Sequence, residues 1–167
     1  MTLPRGKSTE NLIKQLLDRI TENLPCHPVI RLFDTYSARG NTLPDRPADF
    51  ILVCKDKAIF FEVKETKFNK GLKYASVRPA QEKAMLVCIS YKIPYYLIIR
   101  EYSSKRYFII PAEVYMQHLF ERDKKIFMNE KVLKSYIPYS SLSDYQVSNK
   151  EISRYLEKLI KKELKGD

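Results

Sequence analysis

The stretch Ala48 to Lys67, ADFILVCKDKAIFFEVKETK, constrains this chain more than any other part of it. Two runs of strand length, Ala48 to Cys54 and Ala58 to Glu65, are rich in β-branched and aromatic residues. They flank the short turn Lys55-Asp56-Lys57, a pattern that predicts a β-hairpin. Alternate residues on a strand share a face, so Glu62 and Lys64 project together with Phe60, while Phe61, Val63 and Glu65 face the other way. Pairing Ala58 with Cys54 sets Glu62 near Phe50, within a residue of Asp49. Two carboxylates and an ammonium group then converge in a small volume. Acidic residues are depleted in strand interiors, and a Lys between two acids amid Phe and Val is locally unfavourable. Departures of this kind are expected at functional sites. The competing reading is an ordinary exposed Glu–Lys pair on a solvated sheet face.

Around the hairpin, Leu12, Ile13, Leu16, Leu17, Ile20 and Leu24 recur at helical spacing, which predicts a helix over Ser8 to Leu24 with Ser8 or Thr9 as N-cap. Val29 to Tyr36 reads as a strand, followed by the polar loop SARGNTLPDRP. A basic loop runs from Thr66 to Val77. The next helix starts near Pro79, buries Ala80, Ala84, Met85, Cys88 and Ile89, and ends before Pro94. Tyr95 to Glu101 is continuously apolar at its start and so reads as a central strand, with Tyr107 to Ile110 beside it. A helix from Ala112 to about Lys124 follows. The last helix opens on a Ser148/Glu151 capping box and carries Ile152, Tyr155, Leu156, Leu159 and Ile160 on one face. The order α-β-β-β-α-β-β-α implies an α/β (α+β) fold, a single domain with a mixed sheet flanked by helices, and the helix at about 148–165 as an appendage. Tyr95, Tyr107 and Tyr115 are expected in the core or a subunit contact.

Thirty Lys and Arg against 20 Asp and Glu give a net charge of +10 on 167 residues. A surplus of that size in one small domain points to a polyanionic partner, nucleic acid or an acidic membrane surface. No apolar run approaches the ~20 residues of a membrane span, and no signal peptide is visible, so a cytoplasmic location is expected. Cys26, Cys54 and Cys88 are scattered and odd in number, which argues against disulfides and for a reducing compartment. With His27 and His118 as the sole histidines, no zinc-type cluster forms, so any metal would be a hard cation held by carboxylates. Two carboxylates a few ångströms apart suit Mg²⁺, which activates water and offsets charge at phosphorus. Lys64 is placed to orient or deprotonate that water or to stabilise the oxyanion, and the Val63 carbonyl is a further candidate ligand.

Asp49, then twelve residues, then Glu62-Val63-Lys64 resembles the PD-(D/E)xK motif of restriction endonuclease-like nucleases, with Ala48-Asp49 where Pro-Asp is common. Arg5-Gly6-Lys7-Ser8-Thr9-Glu10 is similar to the start of Holliday junction resolvases of the bacterial RecU and archaeal Hjc groups. Phe61-Glu62-Val63-Lys64-Glu65-Thr66-Lys67 is close to the "FEAKETK" of RecU. Gln81 stands where RecU-like nucleases carry a Gln behind the active site. The likeness spans roughly residues 4 to 113. It implies a restriction endonuclease-like fold and a homodimer that nicks four-way DNA junctions symmetrically with Mg²⁺, Mn²⁺ substituting, and leaves 5′-phosphate ends. No membrane partner and no nucleotide cofactor are expected. It also implies that Glu10 joins the metal site directly or through water, and that Gln81 assists there.

Helical geometry permits the Glu10 role, since Glu10 lies about 20° from Leu17 and about 60° from Ile13 around the axis. The simpler reading of Glu10 is a first-turn carboxylate favouring the helix dipole. That of Gln81 is a solvated residue near a helix start. Arg5, Lys7, Arg39, Arg46, Lys67, Lys70, Lys73 and Arg78 are the candidate DNA contacts. The loop Ser37 to Arg46 resembles the mobile loop of these resolvases, and it is shorter than the stalk of RecU proteins. A restriction- or repair-type endonuclease and a non-catalytic DNA-binding protein on the same fold are the alternatives.

Overall fold

The computed structural model describes residues 7–32, 46–130 and 134–166. Among these, α1 (Lys7–Thr21) leads into β1 (Ile30–Arg31), β2 (Phe50–Cys54), β3 (Lys57–Thr66), β4 (Gly71–Lys73) and α2 (Pro79–Ser90). Then come β5 (Tyr95–Glu101), β6 (Arg106–Pro111), α3 (Ala112–Phe127), β7 (Tyr136–Pro138), β8 (Gln146–Ser148) and α4 (Ile152–Lys165). Six strands form a mixed sheet in the order β1-β2-β3-β5-β6-β8, and β4 pairs with β7 in a separate two-stranded sheet. Within the larger sheet β3 and β5 run parallel and the other pairs antiparallel. A parallel pair needs a long crossover, and the segment carrying β4 and α2 supplies it.

The sheet is covered on both faces. Ile13 and Leu17 of α1 and Leu156 and Ile160 of α4 pack on Phe50, Leu52, Phe61 and Ile98. On the opposite face, Met85 and Cys88 of α2 and Tyr115, Met116 and Leu119 of α3 pack on Leu97, Ile99, Phe108 and Ile110. Burial on both sides explains why β5 reads as an almost unbroken apolar run. Tyr95, Tyr107 and Tyr115 are fully buried, as expected. Helix α4 is part of the core and not an appendage, because Leu156 and Ile160 seal one face of the sheet.

Several boundaries differ from expectation for physical reasons. The hairpin turn is one residue shorter, with Lys55 at φ +54° and Lys57 already paired to Cys54. The register therefore pairs Ala58 with Val53 and Phe61 with Phe50, a shift of one residue that brings Asp49 opposite Glu62. Helix α1 begins at Lys7, so Thr9 is not a cap. It is buried within the helix, donating to the Glu65 carboxylate and accepting from Arg100 Nη1 at 3.1 Å. Ser148 hydrogen-bonds the Glu151 carboxylate at 2.7 Å, but α4 starts at Ile152 and no capping box closes. Of the strand expected over Val29 to Tyr36, Ile30–Arg31 is formed, and the residues after Leu32 lie outside those described. The expected basic loop after Thr66 contains β4, whose partner β7 comes from the far end of the chain.

The cysteines also depart from expectation. Cys26 and Cys54 form a disulfide, with Cα atoms 3.9 Å apart. The extended segment after α1 runs alongside the end of β2, where His27 N–H donates to the Val53 carbonyl at 2.9 Å, and this brings the two residues together. Cys88 is a buried free thiol. Among the described residues no helix is long and apolar enough to cross a membrane.

Candidate active site

The β2–β3 ladder continues one residue past β2. Asp49 N–H donates to the Phe61 carbonyl at 3.0 Å, and the Asp49 carbonyl accepts from Leu32 N–H at 2.9 Å. Asp49 therefore stands across from Glu62, both on the face covered by α2. Each of these side chains is 1% exposed. Asp49 Oδ2 accepts the Val63 backbone N–H at 2.7 Å. Asp49 Oδ1 lies 2.7 Å from Arg46 Nη2, an ion-pair contact not aligned as a hydrogen bond. Because a strand residue's N–H and C=O face the same neighbour, the Val63 carbonyl points to the same side as Asp49, past the end of β2.

Glu62 and Lys64 are two residues apart on β3 and share a face, with Lys64 Nζ 2.7 Å from Glu62 Oε1. Gln81 reaches both from α2. Its Nε2 donates to Glu62 Oε1 at 2.5 Å, and its Oε1 accepts from Lys64 Nζ at 3.1 Å. The same Oε1 accepts Arg78 N–H at 3.0 Å, so one amide both satisfies the start of the helix and fixes the Glu62–Lys64 pair. Gln81 is fully buried, which removes the reading of a solvated helix-start residue. Glu62 Oε2 is buried with no hydrogen-bond partner among the described residues.

Burial, and next the Glu62 carboxylate, push Asp49 up to about 7 from its ordinary 3.8, while the Val63 N–H and Arg46 pull it down. Glu10 adds a weaker upward push, so it lies within electrostatic range. Tyr95 packs nearby, its hydroxyl donating to the Pro47 carbonyl at 2.7 Å. Burial, then Glu62 and Asp49, raise that hydroxyl well above the usual range.

Each of the two adjacent buried carboxylates is paired with one cation, yet Glu62 Oε2 has no hydrogen-bond partner among the described residues, and a hard divalent cation with an oxygen preference fits that oxygen. The fit rests on Asp49 and Glu62, because no group of three or more His, Cys, Asp or Glu among the described residues could hold a metal. Glu10 is not gathered into such a cluster. It is 2.6 Å from Arg31 Nη2, which also donates through Nη1 to Asn11 at 2.9 Å.

Of the expected DNA contacts, Arg5 and Arg39 lie outside the described residues. Lys7, Lys67, Lys70 and Lys73 are exposed, with Lys73 Nζ 4.6 Å from the centroid of the Phe68 ring. Arg78 is half-buried at the start of α2. Arg46 is not a free surface cation but is turned inward on Asp49. Sequence reading missed Arg31 at Glu10 and the Arg46–Asp49 pair. The spacing of Arg46 three residues before Asp49 was a usable signal. Arg31 had none, because its contact with Glu10 is made across 21 residues.

A family model described as Recombination protein U matches residues 40–160. The match extends into the C-terminal third, where the sequence alone had suggested no family likeness. No curated protein matches the sequence. A solved structure of Hjc, a Holliday junction resolvase from the archaeal hyperthermophile Archaeoglobus fulgidus, aligns with a TM-score of 0.49 and 13% identity, over 89% of this chain and 99% of that one.

Proposed function

The chain belongs to the Recombination protein U family, the Holliday junction resolvases, and from that premise we propose that Asp49, Glu62 and Lys64 form a Mg²⁺-dependent centre that nicks opposed strands of a four-way DNA junction. The observation that carries this reading is the pair of adjacent carboxylates, each 1% exposed, with a lysine and a buried glutamine fixed on one of them.

Asp49 and Glu62 would hold the ion, with the Val63 carbonyl as a further ligand and Glu10 acting through water once released from Arg31. Bound there, Mg²⁺ (or Mn²⁺ in its place) would acidify a water and offset negative charge at phosphorus. Lys64 has three N–H donors, of which Glu62 and Gln81 take two. The third is left for the attacking water or the oxyanion that builds up on the phosphate. Gln81 keeps Lys64 from collapsing fully onto Glu62 and holds Glu62 in one rotamer. Attack of the oriented water on phosphorus, with the 3′ oxygen leaving, yields a 5′-phosphate end.

Lys7, Lys67, Lys70, Lys73 and Arg78, with Arg5 and Arg39, supply the phosphate contacts. Two symmetric cuts require two sites related by a twofold axis, so the working form is a homodimer. Acting on DNA, it would work in the cytoplasm, with the nucleoid or, for a viral protein, in the host cell. The test is to compare wild type and Asp49→Ala for junction binding and for cutting, with Mg²⁺ and with EDTA. The reading expects the variant to bind and not cut. A variant that cuts at the wild-type rate refutes it.

A further inference from the structure

The two site carboxylates have four oxygens, and they are not equivalent. Asp49 Oδ2 is committed to the Val63 N–H at 2.7 Å, a bond that the hairpin register enforces. Glu62 Oε1 is taken by Lys64 and Gln81. Asp49 Oδ1 and Glu62 Oε2 remain as the oxygens that could reach a cation. Glu62 Oε2 has no hydrogen-bond partner among the described residues, whereas Asp49 Oδ1 is covered by Arg46 Nη2 at 2.7 Å. The arginine is itself clamped, its Nη1 donating to the Leu32 carbonyl at 3.0 Å while Leu32 N–H binds the Asp49 carbonyl. Its side chain is 14% exposed, so this is a seated group and not a surface side chain.

A guanidinium at 2.7 Å and a divalent cation on the same oxygen exclude each other by volume and by like charge. We propose that Arg46 is a positioning residue that stands in for the divalent cation on Asp49 and competes with it, so that loading the site requires the guanidinium to leave Oδ1. This rests on the reading above that Asp49 and Glu62 hold the ion. The pairing keeps Asp49 in its ligating rotamer before the ion arrives, and it lowers the affinity of the site. Coupling of this kind is reciprocal: whatever weakens the arginine's hold tightens the metal.

The test measures Mn²⁺ binding to the DNA-free full chain, by the electron paramagnetic resonance signal of the free ion and by calorimetry. Wild type, Arg46→Gln, Arg46→Lys and Asp49→Asn are compared. Arg46→Gln is expected to bind Mn²⁺ about 5- to 150-fold more tightly than wild type, the usual range for coupled sites. It should also show a larger Mn²⁺-induced rise in melting temperature. Arg46→Lys should fall between the two, since a lysine keeps the charge but cannot bridge Asp49 and Leu32 with a planar fork. If Arg46→Gln does not fold, tighter binding by Arg46→Lys alone supports the proposal. Equal or weaker binding by the Arg46 variants, with binding lost in Asp49→Asn, overturns this inference and leaves the metal-site reading standing. Undiminished binding in Asp49→Asn overturns both.

Discussion

Replacing Asp49 by Asn should stabilise the metal-free protein above neutral pH while abolishing its activity. Burial and the Glu62 carboxylate hold Asp49 at about 7, against an ordinary value of 3.8. A carboxylate raised by about three pH units destabilises the fold by about 4 kcal/mol once ionised, at about 1.4 kcal/mol per unit. The folded value lies above the unfolded one, so the fold binds the proton more tightly. Below about pH 4 both states are protonated and the penalty is absent. It grows between about pH 4 and 7 and stays constant above. Asparagine removes the charge and keeps an acceptor for the Val63 N–H, and the lost attraction to Arg46 is already contained in the net value of about 7. The net expectation at pH 8 in EDTA is a gain of about 4 kcal/mol, or on the order of 2 M in urea midpoint. Urea unfolding of both proteins at pH 4, 6 and 8 measures it. The advantage should shrink steadily as the pH falls, and it should narrow for wild type saturated with Mg²⁺, since an ion at 100 times its dissociation constant adds about 2.7 kcal/mol. An Asn variant less stable than wild type at pH 8 in EDTA, or an advantage independent of pH, would refute the reasoning.

Gln81→Ala should slow junction cleavage about 10- to 100-fold at saturating Mg²⁺ with little change in junction affinity, because the amide fixes Glu62 and Lys64 from a fully buried position; single-turnover rates and gel shifts separate the two. Replacing Lys67, Lys70 and Lys73 singly by Ala should each lower the slope of log affinity against log salt by about one, uniformly across junction sequences. Cys26→Ser should lower the unfolding free energy by about 3–4 kcal/mol without reductant and by far less with it, since the disulfide closes a loop across 28 residues. Non-reduced, denatured wild type should then titrate a single thiol, from Cys88.

How much of this was legible in the sequence follows from the range of the interactions involved. Asp49, Glu62 and Lys64 could be placed together because a hairpin is local and strand periodicity fixes its faces. The one-residue error in register came from the turn, where Lys55 takes a left-handed conformation that no Gly or Asn announced. Gln81 was identifiable from its resemblance, but its burial and double bond to Glu62 and Lys64 arise only when α2 docks on the sheet. The arginines show the same divide. Arg46 precedes Asp49 by three residues and could have been read as its partner, whereas Arg31 meets Glu10 through the packing of α1 against the edge of the sheet. Strands β4, β7 and β8 are three residues each, too short for alternation to register, and β4 and β7 pair across more than sixty residues. The Cys26–Cys54 pair was missed because the counting rule saw three scattered thiols and not the extended segment that lies along β2.

Symmetric nicking of a four-way junction is the reaction that Asp49, Glu62 and Lys64 are proposed to carry out. A synthetic four-way junction labelled on each strand in turn, incubated with the protein and Mg²⁺, should show paired nicks at symmetric positions on two opposed strands. A linear duplex of the same sequence should stay intact, and Asp49→Ala or EDTA should abolish the nicks. Equal cutting of the linear duplex, or nicks that persist without a divalent ion, would contradict it.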